Sequence, residues 1–507
     1  MPLRFFNTYS RQLEEFQPRD PDNHKIDIYT CGPTVYSRAH IGNFRAYIFE
    51  DLLQRHLEAR GFKVHRVMNI TDVDDKTILG AHEAGVPLTK FTQQFKDAFF
   101  KDADMLRIKR ADEYPAATDQ RYIDKMISMI GTLIAKGLAY QADDKSVYFR
   151  INKFPNYGKL AHFNLDELQS TGRVKHDEYD KEHIGDFALW KAWDKEDGDV
   201  KWDSPWGPGR PGWHIECSAM ATALLGDQID IHCGGVDNIF PHHEAEIAQS
   251  EGVTGNQFVR MWLHCAHLLV DGQKMSKSLG NFYTIPDVLA KGYTGREIRY
   301  ALMRVNYRDP LNFTWSAMDD ARRSLKRIDE WRIRLIELAK DREHEETGLT
   351  KFIDNLFEAL DDNLNISAAL GQLFDLITQT NRAIDDRALS PGSAQRILDR
   401  WDEVNSILQI GREIRVEASE KLKAEDRADA RVEPKLTPMK GDVETTFILT
   451  SDDEPPDEVK QLAEQRAQAR LAKDFRKSDE LRDKLNALGW EARDTKDGQK
   501  ITRRAGA

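Results

Sequence analysis

The N-terminal part of the chain alternates between strand-like and helix-like patterns, and this alternation constrains the fold more than any other feature. Residues 26–30 alternate like a β-strand, a glycine–proline turn follows, and residues 46–53 have the spacing of a helix. Residues 63–70 predict a second strand. A strand, a crossover helix and another strand of these lengths form a βαβ unit and therefore a parallel sheet. Cys31 and Thr71 follow the two strands, where polar groups face the ligand crevice of such a sheet.

Length and composition exclude several classes of protein. A chain of 507 residues predicts three or four domains, and 40% apolar with 31% charged residues is typical of a globular protein. No run of apolar residues approaches the 18 that a membrane span needs, and the N-terminus has no signal-peptide pattern. Four cysteines are too few for a disulfide scaffold, so we expect a cytoplasmic protein whose thiols serve a metal or a reaction.

The net charge of −12 excludes a generally basic nucleic-acid-binding surface. Only a local patch could bind nucleic acid, and residues 457–507 offer one with 13 Lys/Arg against 10 Asp/Glu. A solvated charged helix face would have the same composition.

The patterns along the chain divide it into seven segments. Residues 130 to 205 interrupt the α/β alternation, residues 316–410 are helical in pattern, residues 411–456 contain four prolines, and residues 457–488 predict a last amphipathic helix. The predicted segments are the first half of a catalytic α/β domain (1–130), an insertion (131–205), the second half (206–260), a segment with a lysine loop (261–325), a helical bundle (326–410), a linker (411–456) and a C-terminal domain (457–507).

Residues His40-Ile41-Gly42-Asn43 open the first predicted helix after a glycine turn. The N–H groups at a helix N-terminus bind anions, and a glycine there lets a nucleotide approach the backbone. On its own this tetrapeptide is more simply explained as a turn histidine.

Residues 274–281 (KMSKSLGN) are more specific. Lys274 and Lys277 lie three apart in a loop between glycines, where ammonium groups can stabilise charge on the α- and β-phosphates of ATP as pyrophosphate leaves. A solvated basic loop is the simpler alternative, and the length of the match argues against it. Together with the first motif, this loop indicates a site that activates a carboxylate as an adenylate.

A third group of residues has the spacing of metal ligands. His242 and Glu246 are four apart on one helix face, and Cys217 and Cys31 could complete a tetrahedral zinc site. Spacing alone makes a surface pair about as probable for His242 and Glu246. The other two thiols, Cys233 and Cys265, are predicted to be small buried apolar residues.

Taken together, these residues resemble the cysteinyl-tRNA synthetases, a family of class I aminoacyl-tRNA synthetases. The matching stretches are 29–36 (YTCGPTVY), 69–76 (NITDVDDK), 209–220 (GRPGWHIECSAM), 241–244 (PHHE), 274–281 (KMSKSLGN), 362–365 (DNLN), 472–475 (AKDF) and 482–483 (RD). The resemblance implies an α/β Rossmann-type catalytic domain with an insertion, a stem-contact segment at 261–325, an α-helical bundle and a small C-terminal anticodon-binding domain at 457–507.

The resemblance also implies the ligands and partners. One zinc ion per chain would be held by the residues that match the family's ligands: Cys31, Cys217, His242 and Glu246. The zinc would take the sulfur of substrate cysteine, because zinc binds a thiolate strongly whereas an apolar pocket separates sulfur from oxygen poorly. The substrates would be L-cysteine, ATP with Mg²⁺, and tRNA-Cys, and the protein would be a monomer with no membrane partner.

Further roles carry over position by position. Gly32, Thr71, Trp213 and His232 would bind the amino acid; His40, Gly42 and Asn43 would contact ATP; Gly235 and Asp237 would bind adenosine; and Lys274 and Lys277 would stabilise the adenylation transition state.

Two departures from the family pattern stand out. Cys233 occupies a position that is usually glycine, and its thiol could compete for zinc. The C-terminus lacks a tryptophan often found before the last arginines, so an anticodon base would be recognised differently.

Two other functions fit parts of the pattern. A cysteine:amino-sugar ligase of the mycothiol pathway shares the core and zinc site but ends soon after the bundle, so residues 457–507 favour tRNA. A non-catalytic RNA-binding paralogue tends to lose the phosphate-handling residues, which here are all present.

Overall fold

The computed structural model describes two compact units, Met1–Ile410 and Gly411–Ala507. The described residues are 2–163, 185–276, 278–339, 345–412, 415–418, 444–449, 456–471, 474–494 and 498–503. No helix within these ranges is long and apolar enough to cross a lipid bilayer.

A four-stranded parallel sheet forms the centre of the first unit. Its strands are β3 (Lys25–Thr30), β4 (Lys63–Met68), β9 (Ile229–Gly235) and β10 (Val259–Cys265), in the order β10-β9-β3-β4. Helix α1 (Ile41–Ala59) connects β3 to β4, which confirms the predicted βαβ unit. The strand order reverses between β3 and β9, and ligands of open α/β sheets bind beyond the carboxyl ends of strands at such a point.

Successive side chains of these strands point to opposite faces of the sheet, and a separate hydrophobic core lies on each face. Ile28, Ile231 and Leu263 pack against Phe49 and Leu53 of α1. Tyr29 and Trp262 belong to the core on the opposite face, which contains the buried sides of three helices. These helices are α4 (Gln120–Ala135), α5 (Trp213–Leu225) and α6 (Glu244–Thr254). Strand residues buried on both faces are typical of a doubly wound parallel sheet.

A smaller antiparallel sheet is formed by residues that lie, in sequence, between β4 and β9 of the parallel sheet. Its strands, in spatial order, are β5 (Ala139–Gln141), β6 (Val147–Phe149), β7 (Phe187–Ala192) and β8 (Gly209–Pro211). Before it come the N-terminal hairpin, β1 (Arg4–Asn7) and β2 (Gln12–Glu15), and the helices α2 (Asp75–Ala84) and α3 (Leu88–Met105). Strands β5 to β7 lie in the predicted insertion (131–205), whereas β8 lies in the segment predicted as the second half of the catalytic domain (206–260).

After β10 the chain forms a small mixed sheet and then a set of helices. The strands are β11 (Leu268–Val270), β12 (Gln273–Lys274) and β13 (Leu311–Phe313), and the helices are α7 (Ile285–Leu289), α8 (Gly295–Met303), α9 (Trp315–Ala339), α10 (Lys351–Asp361), α11 (Ile366–Asp385) and α12 (Pro391–Leu408). Their apolar faces share one core with α1. Arg299 of α8 donates to Asp51 of α1 at 2.6 Å, and both side chains are fully buried. This ion pair connects the helical region to the helix that opens the candidate site.

The C-terminal unit combines four strands with two helices. The strands β14 (Arg415–Ala418), β15 (Glu444–Leu449), β16 (Trp490–Asp494) and β17 (Gly498–Arg503) form a sheet in the order β14-β15-β17-β16, and the helices are α13 (Asp457–Leu471) and α14 (Phe475–Ala487).

Two details of this unit differ from the sequence-based expectation. The strands β14 and β15 lie in the 411–456 segment predicted as a linker, but they pair in this sheet. The single helix predicted at 457–488 is two helices, because Asp474 caps the second by accepting from Lys477 N at 3.1 Å.

Candidate active site and metal cluster

A cavity of about 390 Å³ opens beyond the carboxyl ends of β3 and β9. The predicted site residues that line it are Cys31, Gly32, His40, Gly42, Asn43, Trp213, Gly235, Asp237 and Lys274. The strand-order reversal therefore coincides with the residues chosen from sequence.

His40 and Asn43 form a reciprocal cap at the start of α1. His40 Nδ1 accepts from Asn43 N at 3.2 Å, and Asn43 Oδ1 accepts from His40 N at 3.1 Å. A neutral imidazole that accepts at Nδ1 carries its proton on Nε2, so His40 can act as a hydrogen-bond donor. A side chain at Gly42 would lie about 3 Å from the His40 ring and Met275, so the backbone is accessible here only because residue 42 is glycine.

The lysine loop begins at the end of β12 with Lys274, whose side chain is exposed. Asn281 fixes the loop, since its Oδ1 accepts from Ser276 N at 2.8 Å and its Nδ2 donates to Lys274 O at 3.3 Å. Lys277 lies outside the described residues. Asn281 belongs to the sequence motif, but its hydrogen bonds across the loop were not predicted from the sequence.

Gly235 and Asp237 lie at the end of β9, beside a histidine that the sequence reasoning missed. Asp237 Oδ2 is 3.3 Å from His267 Nδ1, and both side chains are exposed. Gly235 N donates to Asn238 Oδ1 at 3.2 Å. Because His267 follows the parallel strand β10, the carboxyl-end rule could have identified it.

Four side chains converge beside the cavity, where Cys31 lines it and the other three are buried. The ligand atoms of Cys31, Cys217, His242 and Glu246 all lie within 4.8 Å of one another. They come from the end of β3, from α5, from the turn before α6 and from α6. Residues distant in sequence thus meet in the arrangement that spacing alone left open.

A second set of four ligand atoms overlaps the first. Cys31, His232, His243 and Glu246 also lie within 4.8 Å of one another. His243 Nε2 is 3.1 Å from Cys31 Sγ, and His232 Nε2 is 3.0 Å from Glu246 Oε2. The sequence reasoning assigned no role to His243, although it follows His242 directly.

Further histidines contact these side chains from outside. His214 Nδ1 is 3.0 Å from His242 Nδ1. His243 Nδ1 is 2.7 Å from His264 Nε2, and His264 Nδ1 is 2.8 Å from Thr8 Oγ1. Such contacts fix the orientation of potential ligands.

Burial biases the cluster toward its neutral forms. It raises the pKa of Cys31, with the neighbouring thiol of Cys217 adding to the effect, and it raises the pKa of Cys217 and of Glu246. Burial together with neighbouring histidines lowers the pKa of His242 and of His243 well below the ordinary value. A bound cation would favour thiolate and carboxylate and would use neutral imidazole, so the protonation of the histidines already suits a metal.

The donor set fits zinc. Among the described residues, Glu246 Oε1 is buried and makes no hydrogen bond, and it lies 3.2 Å from His242 Nε2. Two thiols, one imidazole and one carboxylate are ligands that zinc accepts in a tetrahedral site.

Of the residues predicted to bind the amino acid, two line the cavity and two are buried behind it. Trp213 is 40% exposed at the cavity and stacks on the His242 ring at 4.3 Å. Gly32 lies so close to Asn69 that a Cβ would be 1.7 Å from Asn69 O. Thr71 and His232 are buried instead.

The hydroxyl of Thr71 donates to a carboxylate that sequence reasoning did not identify, Glu216 Oε2, at 2.9 Å. Asn69 connects this layer to the cavity, because its Nδ2 donates to Thr71 Oγ1 at 3.1 Å and its Oδ1 accepts from Gly32 N at 2.8 Å. Thr71 therefore contributes to the backbone position of Gly32.

The two remaining thiols lie on the other face of the sheet. Cys233 and Cys265 are buried in the core that contains Ile231 and Phe49. This confirms the prediction that they are small buried apolar residues, although Cys265 also lines the cavity. Cys233 is adjacent to His232 in sequence, but strand alternation sends the two side chains to opposite faces.

Comparison with solved structures defines the class of fold. A Mycobacterium tuberculosis methionyl-tRNA synthetase in complex with methionyl-adenylate superposes with a TM-score of 0.55 at 16% identity, over 76% of this chain and 88% of that one. A putative arginyl tRNA synthetase from Campylobacter jejuni gives 0.51 at 13% identity, over 76% and 91%. The fold is that of a class I synthetase.

Comparison of sequences identifies the family. Residues 17–323 match the model for the tRNA synthetases class I (C) catalytic domain, and residues 452–501 match that for the cysteinyl-tRNA ligase anticodon binding domain. The cysteine–tRNA ligase of Chlamydia muridarum is 45% identical over 99% of both chains, and that of Protochlamydia amoebophila is 44% identical over 99% of this chain and 98% of its own. The chain belongs to the cysteine–tRNA ligase family and is an aminoacyl-tRNA synthetase, a ligase.

Proposed function

We propose that this enzyme activates L-cysteine with ATP and transfers it to the 3′ end of tRNA-Cys, with a zinc ion selecting the cysteine thiolate. In the first step a carboxylate oxygen of cysteine attacks the α-phosphorus of ATP. The bond from that phosphorus to the β-phosphate oxygen breaks, and pyrophosphate leaves with Mg²⁺. In the second step a ribose hydroxyl displaces AMP from the acyl carbon.

One observation carries this proposal: the donors of Cys31, Cys217, His242 and Glu246 converge, and Cys31 of this cluster lines the same cavity as His40. These four residues would hold the zinc, one ion per chain. Bound there, zinc would supply a soft Lewis acid that prefers a thiolate to a hydroxyl. Serine is then excluded by weak coordination, since an apolar pocket alone would separate the two isosteres poorly.

The residues at the other end of the crevice act on ATP. His40 Nε2 and the Asn43 amide would donate to phosphate oxygens, and the bare backbone at Gly42 would allow the nucleotide to approach. Lys274 and Lys277 would stabilise charge as pyrophosphate departs. Gly235 and Asp237 would bind adenosine, with the carboxylate accepting from ribose.

The cysteine backbone would lie between these two ends. Gly32 and Trp213 line the cavity there. Thr71 and His232 would act from behind it, through Asn69 and Glu246 respectively.

A pyrophosphate-exchange assay without tRNA tests the first step. Labelled pyrophosphate should enter ATP with L-cysteine and not with L-serine, and dependence on any other amino acid would refute the assignment. His242→Ala should lose zinc by metal analysis and bind cysteine more weakly. Retention of zinc in that variant would exclude the proposed ligand set.

The proposal also covers the acceptor of the cysteinyl group, the cellular location and the oligomeric state. Similarity over nearly the full length of cysteine–tRNA ligases, including the anticodon-binding model, supports tRNA over an amino sugar. We place the enzyme in the cytoplasm as a monomer. Charging of a tRNA-Cys transcript, compared directly with amino-sugar acceptors, decides between the acceptors, and light scattering gives the oligomeric state.

A further inference from the structure

Arg45 lies on α1 two residues after Asn43, and its side chain is buried. Its guanidinium donates to three main-chain carbonyl oxygens, those of His267 at 2.6 Å, Asn306 at 3.2 Å and Asp309. Within the part of the chain that the structure describes, all of its hydrogen-bond acceptors are neutral main-chain oxygens. The cation therefore binds backbone and not a carboxylate.

This arrangement is expensive if the side chain of Arg45 only fills space. A buried charge loses its hydration, and neutral carbonyl groups compensate for that loss less than a carboxylate does. Replacing buried charged groups with well-packed apolar ones is often neutral or stabilising. The arginine therefore indicates a requirement for fixed geometry, which its planar fork of N–H donors supplies.

The three carbonyls belong to two segments that meet at the edge of the cavity. His267 lies between β10 and β11, and both Ala266 and His267 line the cavity. Asn306 and Asp309 are the ends of a turn, in which Asp309 N donates to Asn306 O at 3.0 Å. Tyr307, within this turn, accepts at its carbonyl from Ala266 N at 2.8 Å. The guanidinium thus holds the turn and the cavity-lining segment against α1 together.

The same helix begins with the residues that we propose to contact the phosphates of ATP. His40 and Asn43 form the cap of α1 and line the cavity. His267 lies on the adenosine side, since its Nδ1 is 3.3 Å from Oδ2 of Asp237. One side chain, that of Arg45, therefore connects the helix of the phosphate contacts to the backbone of the adenosine side.

We propose that Arg45 is a positioning residue that fixes the distance between the phosphate contacts at the start of α1 and the adenosine contacts beyond β9 and β10. ATP has to reach both at once, so a displacement of one side would misplace the α-phosphorus relative to the carboxylate of cysteine. Adenosine alone contacts one side and does not depend on this distance. The inference rests on the proposed function, since it needs ATP to span the crevice.

The test compares a ligand that spans the crevice with one that does not. Pyrophosphate exchange gives kcat/KM for ATP, and inhibition of this exchange by adenosine gives the affinity for the nucleoside alone. Arg45→Met removes the donors at similar length, and Arg45→Lys keeps the charge without the planar fork.

Arg299→Met is the matched control for the loss of a buried arginine. Arg299 is fully buried and also donates to main-chain carbonyls, those of Leu408 at 2.8 Å and Leu106 at 3.1 Å. Its hydrogen-bond partners lie outside the lining of the cavity. Zinc content and cysteine binding by calorimetry report whether each variant retains the fold at the metal end.

We expect Arg45→Met to lower kcat/KM for ATP by about 10²-fold, because a misplacement of about 1 Å has an effect of that size. Arg45→Lys should lower it by an intermediate factor. The inhibition constant of adenosine should stay within about twofold, and zinc content and cysteine binding should match the wild type. Arg299→Met should lower the Tm but keep kcat/KM for ATP.

Two outcomes would overturn the inference. Equal losses for ATP and adenosine would mean that Arg45 supports the nucleoside contacts themselves and not the distance between the two sides. Unchanged kcat/KM in Arg45→Met would mean that the turn keeps its place without the guanidinium. If Arg45→Met does not fold, Arg45→Lys provides the same comparison. Failure of the proposed function is distinguishable, because the wild type would then show no cysteine-dependent exchange.

Discussion

The two ends of the crevice are built in opposite ways. At the thiol end, Cys217, His242 and Glu246 are buried and are held by contacts with one another and with neighbouring histidines. At the other end, Lys274 at the end of β12 and Asp237 just after β9 are exposed. In the proposed function, selection between sulfur and oxygen would depend on fixed donors, whereas ATP would enter and pyrophosphate would leave at the exposed end, so rigidity and access would be divided between the two ends.

The largest effect should come from the lysine loop. Lys277→Ala should lower the rate of pyrophosphate exchange by about 10²–10³-fold, because in the proposed function this lysine would donate to charge that develops in the transition state. Cysteine binding, measured by calorimetry, should stay within twofold. An equal loss of binding would mean that the two ends are not separate in function.

An intermediate effect should come from the contacts that orient the cluster. His232→Phe keeps a ring against Trp262 but removes the hydrogen bond to Glu246, so zinc affinity should fall by about 10–100-fold. Competition with a chelator measures it. His267→Phe is the control at the phosphate end, and weaker zinc binding there would contradict the separation.

A smaller effect is expected at the ribose contact. Asp237→Asn replaces a charged acceptor with a neutral one and should raise KM for ATP by about 2–10-fold. Its zinc content and KM for cysteine should match the wild type. A change in KM for cysteine alone would mean that Asp237 acts on the amino acid and not on ATP.

A separate effect, on folding stability and not on catalysis, is expected at Glu50, whose buried side chain lines the cavity. Burial raises the pKa of this side chain to about 8, against the opposing effects of Arg66 and Thr30. The unfolded carboxyl ionises near its ordinary pKa of 4.5, so the native state loses stability as pH rises from that value to about 8 and not above it. Glu50→Gln should remove this loss.

Thermal unfolding of the two proteins at several pH values measures the difference. The Tm advantage of Glu50→Gln should grow between pH 5 and pH 8 and then level off. A constant advantage at every pH would show that Glu50 does not titrate in this range.

Sequence reasoning found what local pattern and family motifs encode. The βαβ unit follows from periodicity, and Cys31, Cys217, His242 and Glu246 stand in recognisable motifs. It missed groups that become neighbours only through folding. His264, for example, contacts Thr8, 256 positions away in sequence, and no periodicity reports such a contact.

The C-terminal unit shows a second reason. Helix periodicity continues across residues 472–474, so the break between α13 and α14 was missed, although Asp474 is a residue that favours a cap. The strands β14 and β15 lie in a charged, proline-containing segment, where their pairing partners are distant in sequence. Strand pairing between distant residues depends on tertiary packing, and the pattern of a short stretch of sequence carries no information about it.

Strand alternation in β9 has a consequence for how relatives of this enzyme can diverge. The side chain at position 233 lies in the core on one face of the sheet, while that at position 232 lies on the opposite face, beside Trp262 and Glu246. Replacing Cys233 by glycine would therefore change the volume of that core and leave the donors of the candidate cluster in place. Two of the four cysteines of this chain lie outside the cluster, so a count of cysteines overstates its capacity to bind metal.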